Sequence, residues 1–375
     1  MLCKGLVDRI GEEDALIDYQ NKQDQKNFKE VAEIKDHEFA LKKVIQLIED
    51  EEIGVIHNAN EIELIGHRIV HGGTYFSNPR LLSDEVLSKI EEVTPLAPLH
   101  NPHNLKGVQV TQTLFPNARQ VGVFDTAFHQ SIPEKAYRYA IPKDLADDNG
   151  IRVYGFHGTS HRYIANQTAE FLDKPIQETS LISLHLGNGC SMAAVKNGQC
   201  IDTSMGFSPL DGLVMGSRSG DIDPAIVVFL QDKLKMTSAE IDQLLNKKSG
   251  LIGLCGTNDL REIISMAEGG DSNAELALDI YCYRIQKYIG AYLAVTGPLD
   301  AIVFTAGVGE NSSLIRAKCL TGLEHLGISF DSDQNELASG TKASFQVKNS
   351  KVKLLVLPTD EELAIAKASY RVANE

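Results

Sequence analysis

Two glycine-rich segments of this chain have the residue types and spacing to hold a phosphate. HLGNG (residues 185–189) contains Gly187 and Gly189, and the missing Cβ atoms let backbone N–H groups approach an anion. An Asn-Gly hairpin turn would have the same sequence. AGVGEN (residues 306–311) repeats the spacing at a predicted strand-to-helix junction, where a helix N-terminus favours anions. A dinucleotide-binding dehydrogenase is the alternative there, but Ser312 occupies the last motif position and no complete βαβ unit follows.

Two arginines lie in segments suited to binding an anion. Arg218 stands between two serines in MGSRSGD, and Arg68 follows an apolar run in HRIVHGG, just before two glycines. A guanidinium among small residues is better suited to holding an anion than to packing. For either arginine alone, a surface salt bridge is the alternative.

Histidines and acids accompany these segments. His157 and His161 in HGTSH are four residues apart, as in a helical zinc pair, but no glutamate follows the first histidine. For each histidine taken singly, a structural hydrogen bond is the favoured role. A serine hydrolase is disfavoured because no G-x-S-x-G elbow occurs. Asp125 and Glu361 each follow an apolar run, where an acid commonly caps a helix. Taken together, two acids, two arginines, histidines and two glycine-rich turns are what Mg²⁺-dependent phosphoryl transfer requires.

The composition of the chain limits its partners. Its 375 residues include 36 Lys+Arg against 51 Asp+Glu, a net charge of -15, which argues against a broad nucleic-acid or anionic-membrane surface. The sequence has no apolar run long enough to span a bilayer and no signal-peptide core, so we expect a cytoplasmic protein. The six cysteines form no C-x-x-C pair, and we expect them to be reduced and structural.

Alternating elements are predicted to position the chemical residues. ELIGHRIVHGG and ARQVGVFDT are predicted strands, and SDEVLSKIEEV between them is a predicted helix. Residues 179–206 predict an antiparallel meander with Asn-Gly turns. Two later segments, starting at DAIVFTAG and KVKLLVLP, each predict a strand, a turn and a helix. This alternation predicts an α/β fold, with a domain boundary near residue 150 in the polar stretch PKDLADDNG.

Eight segments resemble the acetokinase family in their order and spacing, over nearly the whole chain. They are GHRIVHGG, PLAPLHNP, VFDTAFH, YGFHGTSHRYI, HLGNG, DTSMGFSPLDGLVMGSRSGDIDP, FTAGVGENS and PTDEEL. The resemblance implies two actin-like (RNase H-like) domains with a central cleft. The implied first domain is 1–150 plus 360–375, and the implied nucleotide-binding second domain is 151–359. A homodimer is also implied.

The activity implied by the resemblance is reversible transfer of the ATP γ-phosphoryl group to acetate, with Mg²⁺, giving acetyl phosphate and ADP. Acetate is ionised at neutral pH, so the catalytic groups must stabilise charge rather than remove a proton. By the resemblance, Arg68 would bind the carboxylate, while Arg218 and His157 would stabilise the transferring group. The remaining implied roles are Mg²⁺ binding by Glu361, ordering of Mg²⁺ and its waters by Asp125, and assistance to the phosphoryl group by His100.

The resemblance also implies the residues that line the two substrate sites. The apolar part of the acetate pocket would be Val70, Leu99, Phe156 and Pro209. Val70 leaves little room for an added methylene, which is worth about 1–3 kcal/mol in such a pocket, so acetate should be preferred over propionate. The nucleotide would lie along His185, Leu186, Gly187, Asn188 and Gly189, along Asp259, Leu260 and Arg261, and along Gly307, Val308, Gly309, Glu310 and Asn311.

The opening residues MLCKGLVDRIGE predict a short strand that runs into a turn. Family members place another strand and an N-x-G-S-S-S-x-K turn before a segment like this one. We therefore expect the first domain to lack its leading strand, and the Asn and Lys of that turn to have no counterpart. The alternative to an active enzyme is an N-terminally truncated, inactive or impaired nucleotide-binding remnant of the same family.

Overall fold

The structure, a computed structural model, describes all 375 residues, and the chain folds as two units. Unit 1 comprises Met1–Phe124 and Ile365–Glu375, and unit 2 comprises Asp125–Ala364. This division differs from the predicted boundary near residue 150. The reason is hydrophobic: the segment that follows Asp125 contributes Phe128 and Ile132 to the buried core of unit 2.

Unit 1 contains two small sheets, three complete helices and most of the C-terminal helix. Its elements are β1 (Cys3–Asp8), β2 (Ala15–Asn21), β3 (Asn27–Ala32), α1 (His37–Ile48), β4 (Leu64–Ile69), β5 (Arg80–Leu81), α2 (Asp84–Glu92), α3 (Asn101–Leu114) and β6 (Arg119–Phe124). The first sheet is the antiparallel meander β1-β2-β3, and the second has the order β4-β6-β5 with β4 and β6 parallel. The predicted opening strand is confirmed as β1, and both β1 and β4 are edge strands.

Alternating burial along β2 builds the core under the first sheet. Ala15, Ile17, Tyr19 and Asn21 point inward, as the two-residue period of a strand requires. Ala15 and Ile17 pack with Ile34 and with Ala40 of α1 in one buried cluster. This burial anchors the meander to the helix that follows it.

Unit 2 is built on one six-stranded sheet. In chain order its elements are α4 (Glu134–Tyr137), α5 (Lys143–Asp148), α6 (Gly158–Phe171), β7 (Leu181–Leu186), β8 (Cys190–Lys196), β9 (Gln199–Thr203), α7 (Ala225–Leu234), α8 (Ser238–Lys247), α9 (Gly250–Cys255), α10 (Leu260–Glu268), α11 (Ser272–Thr296), β10 (Ala301–Thr305), α12 (Ala306–Asn311), α13 (Ser313–Leu320), α14 (Ser332–Leu337), β11 (Ala343–Ser344) and β12 (Lys353–Val356). The last helix, α15 (Glu361–Asn374), begins in unit 2 and belongs to unit 1 from Ile365 onward. The strand order is β11-β12-β10-β7-β8-β9.

The sheet of unit 2 combines a meander with a parallel centre. The predicted antiparallel meander is confirmed as β7-β8-β9, with Asn197 and Gly198 at positive φ in the turn between β8 and β9. β10 lies between β7 and β12 and is parallel to both. All five residues of β10 are buried, as expected for a central strand covered on both faces. None of the helices, even the 25-residue α11, is both long and apolar enough to cross a membrane.

Candidate active site

The turns that follow β7, β10 and β12 lie at one edge of the unit 2 sheet, because these three strands are parallel. They are the segments in which HLGNG, AGVGEN and PTDEE were singled out from the sequence. Glu310 links two of them, since its Oε1 accepts hydrogen bonds from Ala306 N (2.8 Å) and Thr359 N (3.0 Å). The glycine-rich turn after β10 and the acidic turn after β12 are therefore held together.

A cavity of about 680 Å³ opens beside these turns, and all three predicted nucleotide segments contribute to its wall. The predicted residues that line it are Gly187, Asn188, Asp259, Leu260, Arg261, Gly307, Val308 and Asn311. Lining residues that the sequence analysis did not find are Gly216, Leu251, Asn258, Ile264, Tyr281 and Ser312. Of these additional residues, Gly216 and Ser312 lie in the MGSRSGD and FTAGVGENS motifs. The other four come from α9, α10 and α11 and their adjoining loops, which the linear motifs do not mark.

Asp259 and Arg261 form a fixed pair in the cavity wall. Asp259 caps α10 by accepting from Arg261 N (2.9 Å), and its other oxygen accepts from Arg261 Nη2 (2.6 Å). These hydrogen bonds with Arg261 lower the pKa of Asp259 to about 2, so the carboxylate is charged at neutral pH. The Arg261 side chain is 91% exposed, and the aspartate sets the orientation of its guanidinium.

Other predicted nucleotide residues have side chains engaged elsewhere. Leu186 is 0% exposed, so its side chain belongs to the core. The carboxylate of Glu310 is directed to the backbone of Ala306 and Thr359. His185 stacks on His157 with ring centroids 4.3 Å apart. Gly189 and Gly309 are not among the residues that line the cavity.

His157 holds an unusual backbone position at the start of α6. It is the N-cap of the helix and adopts the left-handed conformation (φ 55°, ψ 24°), which is uncommon for a residue with a side chain. The next residue, Gly158, donates its N–H to Asp125 O at 2.9 Å. A Cβ at Gly158 would lie 2.1 Å from that oxygen, so only glycine fits. This close contact places His157 beside the turn that contains Asp125.

His157 and Arg218 converge over the first glycine-rich turn. A Cβ placed on Gly189 would lie 3.7 Å from His157 Nε2 and 3.5 Å from Arg218 Nη1. On the other side of the imidazole, His157 Nδ1 is hydrogen-bonded to Ser191 Oγ at 2.9 Å. Two nitrogen groups thus meet at a turn whose backbone can approach a phosphate closely.

The loop that contains Arg218 is docked on the same turn. Gly216 N donates to Asn188 O (3.0 Å), and a Cβ on Gly216 would lie 2.0 Å from Asn188 Oδ1. Arg218 Nη1 donates to Pro209 O at 3.2 Å. Burial lowers the pKa of Arg218, and no carboxylate contributes to the shift. A half-buried guanidinium without an acidic partner is suited to receive an anion.

Two acids stand near these groups in unit 2. Asp125 is 1% exposed and accepts a hydrogen bond from Thr159 Oγ1 at 3.1 Å. Glu361 is the first residue of α15, directly after the turn of Thr359. No group of three or more His, Cys, Asp or Glu side chains forms a metal cage. Mg²⁺ normally takes only one or two carboxylates, with waters and substrate phosphates completing its shell, so this donor set suits it.

Comparison with known proteins identifies the family. The sequence profile described as the acetokinase family matches residues 1–367. This chain belongs to the acetokinase family. An acetate kinase of Oleidesulfovibrio alaskensis is 50% identical over 375 residues, with 99% of this chain and 93% of that protein covered.

Solved structures of related proteins have the same fold. The crystal structure of Porphyromonas gingivalis acetate kinase matches with a TM-score of 0.94 at 44% identity, covering 99% of this chain and 93% of that one. A propionate kinase from Francisella tularensis matches with a TM-score of 0.93 at 40% identity, with the same coverage. The predicted α/β, actin-like fold is therefore confirmed for this acetokinase-family chain.

The remaining predicted site residues divide between the two units. Phe156 in unit 2 is 3% exposed, and it directly precedes His157. In unit 1, Arg68 is an exposed residue of β4 opposite Val123 of β6. Val70 is buried, Leu99 is 60% exposed, and His100 is the N-cap of α3.

The turn after β4 is clamped by the first turn of α3. Asn104 Oδ1 accepts from Val70 N at 3.0 Å. Asn101 accepts from His71 N (3.1 Å) and donates to His71 O (3.0 Å). Asn101 is 0% exposed, so these bonds are shielded from water. The clamp fixes the backbone just beyond Arg68, in the segment that carries the predicted acetate residue Val70.

Proposed function

We propose that this chain is an acetate kinase, which transfers the γ-phosphoryl group of ATP reversibly to acetate, giving acetyl phosphate and ADP. The observation that carries the proposal is the convergence of His157 Nε2 and Arg218 Nη1 on Gly189. This point adjoins a cavity of about 680 Å³ whose wall includes all three predicted nucleotide segments. The acetate kinases among its relatives support the same assignment.

The proposed chemistry depends on charge stabilisation. The acetate oxygen attacks the γ-phosphorus, the bond from phosphorus to the β,γ-bridging oxygen breaks, and ADP leaves with that electron pair. Negative charge is spread over the three equatorial oxygens during the transfer. Arg218 would donate to these oxygens, and His157 would donate from Nε2. Both groups are held in place before the substrate arrives, so little reorganisation is needed.

We propose that Mg²⁺ is held by Glu361, and that Asp125 orders the waters of the metal. Bound Mg²⁺ would neutralise charge on the phosphate oxygens of the nucleotide. Asp125 is suited to this role because its Oδ1 is fixed by Thr159 Oγ1 at 3.1 Å. Glu361 is suited because Glu310 binds Thr359 N at 3.0 Å and holds the turn that precedes it.

Arg68 is the proposed partner of the acetate carboxylate, and His100 the proposed further donor to the phosphoryl group. Val70, Leu99, Phe156 and Pro209 would surround the methyl group. A propionate kinase is among the structural relatives, so the choice between the two acids is part of the proposal. We propose acetate as the preferred substrate, by about 1–3 kcal/mol for the extra methylene.

An assay of the purified chain tests the function. ADP formation should require acetate and Mg²⁺ together with ATP, and acetyl phosphate should be trapped by hydroxylamine. Propionate at the same concentration should react more slowly. Absence of acetate-dependent turnover in a chain that still binds ATP would contradict the proposal, and would favour the alternative of an inactive nucleotide-binding remnant.

We also propose that the protein is a cytoplasmic homodimer that uses α7 as part of its interface. The helix is apolar in sequence, AIVVFLQDKL, yet none of its residues is buried. Ile226, Val228 and Phe229 are 43%, 56% and 56% exposed. An exposed apolar patch of this kind marks an interaction surface. Light scattering should give the mass of a dimer, and F229E should shift it to that of a monomer, whereas D232A on the same helix should not.

A further inference from the structure

An alternating series of serines and histidines extends into the core of unit 2 from His157. Ser191 Oγ lies 2.9 Å from His157 Nδ1 and 2.8 Å from His161 Nε2. His161 Nδ1 in turn lies 2.9 Å from Ser183 Oγ. His161, Ser183 and Ser191 are all 0% exposed. Water therefore does not compete for these hydrogen bonds, and their donors and acceptors must match one another.

Local geometry explains why these residues meet. His157 is the N-cap of α6 and His161 lies in the first turn of that helix, and both imidazoles contact Ser191 Oγ. Ser183 and His185 are two residues apart on β7 and share a face of the sheet. Ser191 on β8 is paired directly with His185 in the antiparallel register. The start of α6 thus places the two histidines against the polar side chains of Ser183, His185 and Ser191 on the sheet.

The hydrogen count sets the direction of the three bonds. Burial lowers the pKa of His161 well below its usual value, and the nearby His129 and His185 add to the shift, so the ring is neutral with one N–H and one lone pair. Ser183 Oγ has His161 Nδ1 as its only side-chain partner. Its buried hydroxyl hydrogen is satisfied only if Ser183 donates to His161 Nδ1. His161 must then donate from Nε2 to Ser191, and Ser191 must donate to His157 Nδ1.

The opposite direction would leave the Ser183 hydrogen buried without an acceptor. It would also place the only hydrogen of a neutral His157 on Nδ1, so that Nε2 would carry a lone pair. Nε2 is the atom that lies with Arg218 Nη1 beside Gly189. A lone pair there would repel a phosphoryl oxygen, whereas an N–H would donate to it.

We propose that Ser183, His161 and Ser191 form a relay that holds His157 in the tautomer with its hydrogen on Nε2, so that neutral His157 donates to the transferring phosphoryl group. The inference deepens the proposed function and rests on it. His161 and Ser191 are positioning residues, because they act through His157. Stacking on His185, with ring centroids 4.3 Å apart, holds the plane of the same imidazole. The titratable and charged groups that face His157 are His185, which stacks on it, Arg218, which lies with it beside Gly189, and His161, which it meets through Ser191. Asp125 contacts the next residue, Gly158, through its backbone oxygen.

Nitrogen NMR of the resting protein is the direct test. The full-length chain is labelled with ¹⁵N-histidine, and H157Q identifies the His157 signals by their loss. At pH 8 we expect His157 Nδ1 to be an unprotonated, hydrogen-bonded nitrogen and Nε2 to carry the hydrogen. S191A should remove the hydrogen-bond shift at Nδ1 and allow both tautomers. Wild-type His157 with its hydrogen on Nδ1, or with both nitrogens protonated, would overturn the proposal.

Kinetics supply the second readout. S191A should lower kcat by about 10- to 100-fold, by analogy with the loss when the outer hydrogen-bond partner of a metal-binding histidine is removed. KM for ATP and acetate should change less than about twofold. H161Q can still donate an amide N–H to Ser191 and should recover much of the activity that H161A loses. If H161Q and H161A lose the same amount of activity, and the His157 tautomer in the spectra of S191A is unchanged, the relay is refuted and these residues serve only in packing.

S183A keeps the proposal testable if the other variants fail to fold. S183A removes only one hydroxyl from the far end of the relay, where no substrate reaches. It should fold, and His157 should show a mixture of tautomers because the direction of the bonds is no longer set. An unchanged single tautomer in S183A would contradict the proposed hydrogen count. The NMR spectra are recorded without turnover, so they test the relay separately from the proposed function. An inactive wild-type chain would refute the proposed function, and the His157 tautomer seen in the spectra would still confirm or refute the relay.

Discussion

Glu310 joins the turn after β10 to the turn after β12, because its Oε1 accepts from both Ala306 N and Thr359 N at 2.8 and 3.0 Å. The backbone of Glu310 is held in turn by Arg316, whose Nη1 donates to Gly309 O (2.9 Å) and Glu310 O (3.0 Å). Arg316 is 0% exposed, and burial lowers its pKa to about 10, so it remains charged at neutral pH. The proposed nucleotide and metal segments are thus braced by one buried cation.

Removing the Glu310 carboxylate should uncouple the two turns. E310A leaves two backbone N–H groups without their acceptor, at a cost of about 1–3 kcal/mol in the free energy of unfolding. We expect the Mg²⁺ concentration for half-maximal activity to rise, because the turn before Glu361 loses its anchor. E310Q keeps an oxygen that can accept both bonds and should stay near wild type. Urea unfolding and a Mg²⁺ titration measure both effects, and equal losses in E310Q and E310A would contradict this explanation.

The contact between Gly158 and Asp125 should tolerate no side chain. G158A places a Cβ 2.1 Å from Asp125 O, so the backbone must shift and His157 must move with it. We expect a loss of about 2 kcal/mol or more in the free energy of unfolding and a large loss of activity. G290A is the control: no atom lies within 4 Å of its Cβ, and alanine in a helix interior is favoured over glycine by up to about 1 kcal/mol.

Replacement of Arg218 should affect turnover far more than nucleotide binding. R218A removes a donor to the transferring group, and we expect kcat to fall about 10³-fold or more. R218K keeps the charge but loses the planar guanidinium, so it should recover only part of the rate. ATP affinity, measured by calorimetry, should change little. A rate for R218A within tenfold of wild type would remove Arg218 from the proposed mechanism.

The free energy of unfolding should depend on pH through Asp211, which lies in the same loop as Arg218. Burial, and then the hydrogen bond and charge of Asp221, raise the pKa of Asp211 from 3.8 to about 6. The folded protein therefore binds a proton that the unfolded chain has already released between these two values. This stabilising contribution is complete below about pH 4 and is lost as the pH rises through about 6.

The comparison of D211N with wild type isolates this contribution. The side chain in D211N stays neutral at every pH. The difference in unfolding free energy between D211N and wild type should therefore change between about pH 4 and pH 6 and be constant above pH 6. Thermal unfolding at a series of pH values measures the difference. D242N on α8 provides an exposed control. A flat difference across that range would show that Asp211 does not titrate with a raised pKa.

Much of the fold was predictable because the signals that define an element are local. The apolar run of DAIVFT predicted β10, and the Asn-Gly turn predicted the hairpin of β8 and β9, since both patterns follow from backbone geometry within a few residues. The domain boundary was not predictable in this way. PKDLADDNG is polar and looks like a linker, but whether Phe128 and Ile132 join one core or another depends on long-range packing.

The amino-acid sequence by itself determined which residue types gather at the turns, and the order of its motifs determined the family. Only the tertiary structure decided their partners. From the sequence, structural hydrogen bonds were the favoured role of His157 and His161 taken singly, over a zinc pair, but nothing in it indicated that Ser191 is their partner. The pairing of β7 with β8 places Ser191 beside both histidines, and the parallel arrangement of β10 and β12 directs Glu310 to Thr359. A hydrogen bond depends on distance and angle in space, and these are set by strand register and helix docking rather than by neighbours in the chain.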